Sequence, residues 1–512
     1  MDSTAYPISD SNRGIRNLRR QVGAIRSVIP VPGFSGWGRP FLGTVNYFGG
    51  FEDLALILSQ LGYIVIVVRI GPISSNRERA CEIFAQLTDP AGFVRAGTYG
   101  VPIPVNYGNG LPAPNQALVA AATTLQAVLY DTPANSLPVG WKWGDRSPSG
   151  INKVNFICHS QGGTTIRYLI ELLSGTSTPE LPDFIGVNRQ PWVNSVITIG
   201  TPHKGTTVTG VVHDIIPDNQ IGPLIDFITS CSFEARQERI YDLHLDHWGF
   251  FRAPGQTYQA MRAQIAPIVS LWWTRRVNGL FDNSITGVRN LDVFAPNPSL
   301  DIYYFTMSFS ATTPFPDETL TADDINGWLA LFPGDQIWNP FGLWGHVVAP
   351  FQPLAAMLRA LPASRAVLSW ITTVANQHLK PLGYFSEIPQ PGSQVPRSDM
   401  LPLIMYPAYA MGGRSILPVN ALPGISSEDF QPNDGIVNTR SMDGPTTGPV
   451  ESGDFAAEFA ANPTNARGRY WHLGINSTMD HADEIGVFTD ADTNLEVQAM
   501  YIMFAELADR LT

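Results

Sequence analysis

The sequence predicts an α/β fold built on a mainly parallel central sheet, and three observations carry that prediction. Tyr63 to Ile70 is an unbroken Ile/Val-rich run, as strands buried on both faces of a parallel sheet are. Strand and helix patterns alternate through roughly the first 200 residues, the signature of parallel strands joined by crossover helices. The stretch Val154 to Leu173 passes directly from an apolar, β-prone run into a helix, with Ile166, Leu169, Ile170 and Leu173 at i, i+3, i+4 and i+7.

Residues 1 to about 23 are polar, with Arg13, Arg16, Arg19 and Arg20, and read as an N-terminal arm. The first strand, Ala24 to Val31, runs into Pro32-Gly33-Phe34-Ser35-Gly36-Trp37-Gly38. Glycines at that density let backbone approach closely, so the loop can aim an N–H at a developing oxyanion or serve as a plain turn. A helix near Glu52 to Leu61 precedes the Tyr63 strand, Gly71-Pro72 ends that strand, and Glu78 to Leu87 reads as helix. Residues 101 to 150 are rich in Pro, Gly and Asn and read as a surface excursion with one helix, Asn115 to Leu129. Val193 to Ile199 is another buried strand, ending at Gly200-Thr201-Pro202-His203, and strand C-termini are where such sheets place ligands.

Val208, Val211, Val212, Ile215 and Ile216 form an amphipathic pattern stopped by Pro217, and Ile221, Leu224, Ile225 and Ile228 form a second. The spacing suits a lid over an apolar pocket and equally a helix pair packed on the core. Asp301 to Ser310 is another strand. Helical pieces at Thr321 to Phe332, Leu354 to Leu361 and Arg365 to Gln377 are separated by prolines and too long for a loop. Pro389 to Pro402 leads back to the sheet, Gly468 to Ile475 is the last strand, and Leu495 to Leu511 the last helix. The chain therefore reads as one domain over 24–512 after an arm at 1–23, with insertions at about 103–150 and 312–425 and a lid or cap at about 204–295.

Composition excludes several classes. With 44% hydrophobic residues, 15% charged and a net charge of -12, the 512-residue chain has the makings of a large core and no Lys/Arg stripe for a nucleic acid. Cys81, Cys158 and Cys231 cannot make a disulfide framework. No run is long enough for a transmembrane span. The N-terminus lacks an apolar leader core, so the chain is expected inside the cell if Met1 is its start, and outside if a leader has been removed.

The chemistry centres on Cys158-His159-Ser160-Gln161-Gly162. Strand, sharp turn with a serine at its tip, then helix is the context of a nucleophile elbow. The turn needs small residues two before and two after the serine. Gly162 supplies one, and Cys158 stands where glycine is usual. A serine hydroxyl needs a base, and histidine suits neutral pH. His481 lies on a late loop between the last strand and the last helix, whereas His472 falls within the strand pattern and reads as structural. Asp434, bracketed by Pro432 and Gly435, is the acid upstream of His481, with Asp480 and Asp483 as alternatives. The order Ser, Asp, His is that of α/β-hydrolases.

PGFSGWG, GYIVIVVRIGPISSNRERACEIFAQL, CHSQGGTT, TIGTPHKGTT, LDHWG, NDGIVNTRSMDGP and MDHADEIG occur in order. This series resembles the thermostable bacterial true lipases of the Bacillus/Geobacillus group and their relatives over most of 25–300 and 428–510. The resemblance implies an α/β-hydrolase fold with helical cap insertions and a carboxylic ester hydrolase (lipase or carboxylesterase) working through an acyl-enzyme. It implies Ser160 as nucleophile, Asp434 as acid, His481 as base, and the amides of Phe34 and Gln161 as oxyanion donors. Val208 to Ile228 falls on the family's lid. Pro32 replaces the family's histidine two residues before Phe34. In the family's zinc site, Asp246 matches one aspartate and Glu78 replaces the other, with no counterpart to the two loop histidines; His244 or His247 are local substitutes, but surface histidines on an amphipathic strand are the preferred reading of these two. In its calcium site Asp483 replaces a glutamate and Phe488 stands where an aspartate would be. The expectation is that neither zinc nor calcium is required. The expected partner is an ester or lipid substrate, with transient contact to a lipid interface. Two further readings remain: an intracellular acyltransferase or lactone-forming or lactone-opening enzyme, and a catalytically dead hydrolase fold used for binding.

Overall fold

The computed structural model describes residues 27–315 and 389–511, except 39, 41–42, 90, 99, 109–121, 148–149, 177–179, 217–220, 236–240, 249, 275 and 417–421, together with positions 365, 369, 372, 373 and 377. The arm at 1–23 and the helices expected at Thr321 to Phe332 and Leu354 to Leu361 lie outside these residues, as does most of Arg365 to Gln377.

The first half of the chain contributes β1 (Ser27–Val31), α1 (Leu54–Gln60), β2 (Ile64–Val67), α2 (Asn76–Thr88), β3 (Phe93–Arg95), β4 (Pro102–Pro104), β5 (Thr123–Leu125), β6 (Ala127–Tyr130), β7 (Arg146–Ser147), β8 (Gly150–Ile151), β9 (Val154–His159), α3 (Gln161–Leu173) and β10 (Val193–Ile199). The cap region follows with α4 (Val208–Ile215), α5 (Gly222–Phe233), α6 (Tyr258–Thr274), α7 (Gly279–Asp282) and α8 (Ile285–Phe294). The chain then gives β11 (Tyr303–Phe309), β12 (Thr312–Pro314), β13 (Gln394–Pro396), α9 (Pro402–Gly412), β14 (Val450–Glu451), α10 (Phe455–Ala461), β15 (Tyr470–Asn476) and α11 (Ala491–Arg510).

Among the described residues, nine strands form the main sheet in the order β14-β15-β11-β10-β9-β1-β2-β6-β3. Every neighbouring pair is parallel except β2 with β6. The parallel run from β1 through β15 brings the loops after β1, β9, β10, β11 and β15 to one edge. That edge is where such sheets hold their chemistry.

The two-residue strand period divides the core. Phe156 and Cys158 of β9 face one side and pack with α2 and α3. Ile157 faces the other and packs with Leu54 of α1 and Met500 and Phe504 of α11. Each fully buried side chain of this size contributes about 1.5–3 kcal/mol. A capping box starts α2: Ser75 accepts from the Glu78 amide, and Glu78 accepts from the Ser75 amide.

One expected element is corrected. The helix placed at Asn115 to Leu129 is not formed over its described part. Thr123–Leu125 pairs with β4, and Ala127–Tyr130 enters the main sheet between β2 and β3. The segment is β-branched and aromatic (Thr123, Thr124, Val128, Tyr130), and sheet pairing outweighs its weak helical spacing. It is therefore part of the sheet and not simply a surface excursion. The described part of 312–425 likewise holds a ribbon, β12 with β13, besides helix α9.

The patterns at Val208 and Ile221 form helices α4 and α5. Ile216, Ile225 and Ile228 pack with Trp248, Ile265, Val269 and Trp272 in an apolar cluster separate from those on the two sheet faces, and Phe34 leans against it. Among the described residues no helix is long and apolar enough to cross a membrane.

Candidate active site

Ser160 sits between β9 and α3 with φ 54° and ψ -129°. A non-glycine residue at positive φ is strained and persists only where its surroundings hold it. Here the Ser160 amide donates to Ile199 O at 2.9 Å, and its carbonyl accepts from Thr201 Oγ1 at 2.9 Å. The need for small neighbours is steric: a Cβ on Gly162 would lie 2.5 Å from Val31 O, and one on Gly33 2.6 Å from Ser160 Cβ. Cys158, fully buried, is small enough for its place.

That contact at Gly33 sets the glycine-rich loop against the serine, with Phe34 next in the chain. Gln161 is the first residue of α3, so its amide has no partner inside the helix, and Ser160 makes no side-chain cap over it. Both expected oxyanion donors thus stand beside Ser160.

Asp434 lies in a tight turn whose Gly435 has φ 105°, a conformation that residues with a side chain rarely adopt. Its Oδ1 accepts from the amides of Ile436 (2.8 Å) and Val437 (2.7 Å), and its Oδ2 lies 2.8 Å from His481 Nδ1. The His481 amide donates to Asp434 O at 3.0 Å, pinning the two loops together. The His481 ring stacks at a tilt on His159, centroids 4.5 Å apart, which brings it to the elbow. Burial opposes a charge on His481, but the acids that face it, Asp434 foremost, outweigh burial and raise its pKa. The alternatives Asp480 and Asp483 cap their own loop: Asp480 Oδ1 accepts from the amides of Ala482 and Asp483, and Asp483 Oδ2 accepts from that of Asp480. His472 bonds Ser308 within the sheet, at 3.0 Å.

Several residues at the site had no sequence signal. Buried Arg79 donates to Gln161 Oε1 (2.6 Å), to Gly33 O (3.2 Å) and to Pro32 O. It joins the loop that leads to Phe34 to the start of α3, and burial lowers its pKa to about 10. It sits in a helix pattern where an arginine reads as solvated. Arg79→Met is expected to lower kcat on a short ester by about 10²-fold, the scale of losing one oxyanion donor, with KM little changed. Steady-state kinetics decides it, and unchanged kcat in a folded variant would exclude the role. Tyr47 Oη accepts from the Gly33 amide at 2.8 Å and lies 2.8 Å from His159 Nδ1. Arg397 donates to Ser310 O and Thr478 O (both 2.9 Å) and to Ser477 O, bracing the loop that carries His481.

The metal candidates separate. Glu78 is held by the capping box and by Trp248 Nε1 at 2.9 Å, so it does not match the aspartate whose place it takes. Asp246 instead clusters with His244 and His247, ligand atoms within 4.8 Å of one another. These two histidines are buried, 2% and 1% exposed, and not the surface histidines a strand would give. His247 Nδ1 meets Glu82 Oε1 at 3.1 Å, while its buried Nε2 has no hydrogen-bond partner among the described residues. Two imidazoles and a carboxylate, with Glu82 bonded to the far nitrogen of His247, fit a zinc-type ion. Asp483 does not fit calcium: its carboxyl is turned to the Asp480 amide, and Arg397 takes the carbonyls of the same loop. Calcium wants six or more oxygens, and among the described residues Asp483 joins no cluster of three or more candidate ligand side chains.

A family described as "Lipase-like, C-terminal domain" matches residues 142–332. The chain is 26% identical over 281 residues to a protein named Lipase 1 from Staphylococcus aureus, covering 52% of this chain and 35% of the relative. It is 25% identical over 283 residues to a Lipase from Staphylococcus epidermidis, with the same coverage. The chain thus spans about a third of the length of the curated relatives it matches. Three solved structures are similar over nearly the whole chain. EstA from Clostridium botulinum has a TM-score of 0.60 at 22% identity, covering 99% of this chain and 92% of that one. Lipase 1 from Pelosinus fermentans has 0.55 at 23%, covering 94% and 99%. The Staphylococcus hyicus lipase has 0.56 at 18%, covering 96% and 98%. With the parallel sheet and the strand–turn–helix at Ser160, these likenesses show that the chain has the α/β-hydrolase fold.

Proposed function

We propose that the chain is a carboxylic ester hydrolase of the lipase/carboxylesterase class, using Ser160, His481 and Asp434 through an acyl-enzyme. The observation that carries this is the His481 Nδ1 to Asp434 Oδ2 pair at 2.8 Å, set beside a serine held at φ 54°. His481 Nε2 takes the Ser160 proton as Oγ attacks the ester carbonyl. The amides of Phe34 and Gln161 receive the oxyanion. His481 then protonates the leaving alcohol, and water reverses the sequence to free the acid. The likeness to the Staphylococcus lipases in sequence and to the three solved structures in fold supports this reading, and the motif series resembles the Bacillus/Geobacillus-type lipases. The apolar cluster under α4 and α5 suits an acyl chain. Half-buried Val212, Ile215, Leu224 and Phe227 on those helices suit a lid that meets a lipid interface. A panel of p-nitrophenyl esters from short to long acyl chains tests the proposal. Turnover with a preference along the series is expected, and no turnover of any ester would exclude it.

His244, Asp246 and His247 would hold a structural divalent ion of the zinc type, tying the cap to the sheet through Glu82 on α2. The ion takes no part in the ester chemistry. Elemental analysis after exhaustive dialysis is expected to find about one zinc per chain. His247→Ala should lose it with a lower Tm, since a ligand at a thousandfold its Kd stabilises by about 4 kcal/mol. Metal-free protein with an unchanged Tm would count against the site.

A further inference from the structure

Asp434 is not the only buried carboxyl beside His481. Glu484, fully buried one turn along, places Oε2 3.0 Å from His159 Nε2 and Oε1 3.5 Å from His481 Nδ1. It faces the same ring nitrogen as Asp434, whose Oδ2 lies 2.8 Å from His481 Nδ1. Its seat is built for it: a Cβ on Gly200, at φ 56°, would lie 1.9 Å from Glu484 Oε2. Read as an acceptor alone, Oε1 is buried with no hydrogen-bond partner among the described residues.

We propose that Glu484 is a positioning residue that carries its own proton, with Oε1–H donated to Asp434 and Oε2 accepting from His159 Nε2–H. This rests on the triad proposed above and deepens it. The assignment satisfies every group in one direction. Gly33 N–H donates to Tyr47 Oη, Tyr47 O–H to His159 Nδ1, His159 Nε2–H to Glu484, and Glu484 to Asp434. The chain runs from the oxyanion loop to the triad acid, so a shift at one end disturbs the other. The groups facing Glu484 are His481, Asp434 and His159, with the hydroxyls of Tyr47 on the loop before α1 and Tyr501 of α11 also within its electrostatic reach. Two dry carboxyls that face one imidazole nitrogen cannot both ionise cheaply. Burial first, then the charge of Asp434, pushes Glu484 upward against the pull of His481, and burial likewise keeps His159 neutral.

The test is Glu484→Gln, whose amide can donate to Asp434 and accept from His159, beside Glu484→Ala, which can do neither. Glu484→Gln is expected to keep kcat within about threefold of wild type, with the acid limb of its pH profile unmoved. Glu484→Ala should lose about 10- to 10²-fold in kcat at unchanged KM, the cost of a misplaced catalytic group. Infrared difference spectra of wild type minus Glu484→Gln at neutral pH should show one protonated-carboxyl C=O band. A larger loss in Glu484→Gln, an acid limb moved down by about a unit, or a missing band would overturn the proposal. Wild-type kcat in Glu484→Ala would do the same. The band is read whether or not Glu484→Ala folds. A wild type that turns over no ester would sink the triad reading and leave the band to judge the proton.

Discussion

Ser160→Ala is expected to lower kcat on a p-nitrophenyl ester by about 10⁶-fold, the scale of removing a triad nucleophile, while KM and fold stay put. At about 1.4 kcal/mol per tenfold this is roughly 8 kcal/mol of transition-state stabilisation. The reason is chemical and not structural. The methyl group of alanine fits the elbow, and the backbone contacts that hold it, from the Ser160 amide to Ile199 O and from Thr201 to the Ser160 carbonyl, need no hydroxyl. Residual rate from the oxyanion amides is expected, so the variant should stay above background. A fluorophosphonate probe should label wild type and not the variant. Turnover within tenfold of wild type would remove Ser160 from the mechanism.

Asp434→Asn is expected to cost about 10⁴-fold in kcat, and the hydrogen bonds show why. Two backbone amides, Ile436 and Val437, donate to Oδ1, so the asparagine must keep its carbonyl oxygen there. Its NH₂ then faces His481 Nδ1 in place of Oδ2. The imidazole can meet a donor only by moving its own proton to Nε2, the atom that should take the Ser160 proton. The base is left in the wrong tautomer. The pH profile should move as well. Against the opposing effect of burial, Asp434 is the largest influence raising the His481 pKa, so its neutralisation lets that pKa fall. The acid limb of kcat/KM, which marks deprotonation of His481, should shift to lower pH while the plateau drops. A plateau within tenfold of wild type, or an acid limb moved to higher pH, would refute the assignment.

How much was legible in the sequence follows from the range of the forces involved. The strands β1, β2, β9, β10, β11 and β15 were readable because both-faced burial demands continuous apolar runs, and the crossover helices because they need one apolar stripe. Ser160 was readable because an elbow compresses strand, turn and helix into a few residues. β6 was missed because its place depends on strands far away in the chain, which no local window contains. Arg79, Tyr47, Glu484 and Arg397 were missed for the same reason, since each earns its role only from partners brought to it by the fold. Glu484 sits 325 positions from His159. His244 and His247 were read as surface residues because an isolated histidine carries no sign of its burial.

The sequence by itself determined the α/β-hydrolase class, the elbow and the candidate set Ser160, Asp434 and His481 in chain order, because periodicity and tight turns are local. Only the tertiary structure decided which carboxyl meets His481, that Arg79 joins Gly33 to Gln161, and that Glu484 reaches both His159 and His481. Those contacts join loops from the ends of separate strands. Their geometry is set by the parallel sheet that brings those ends to one edge.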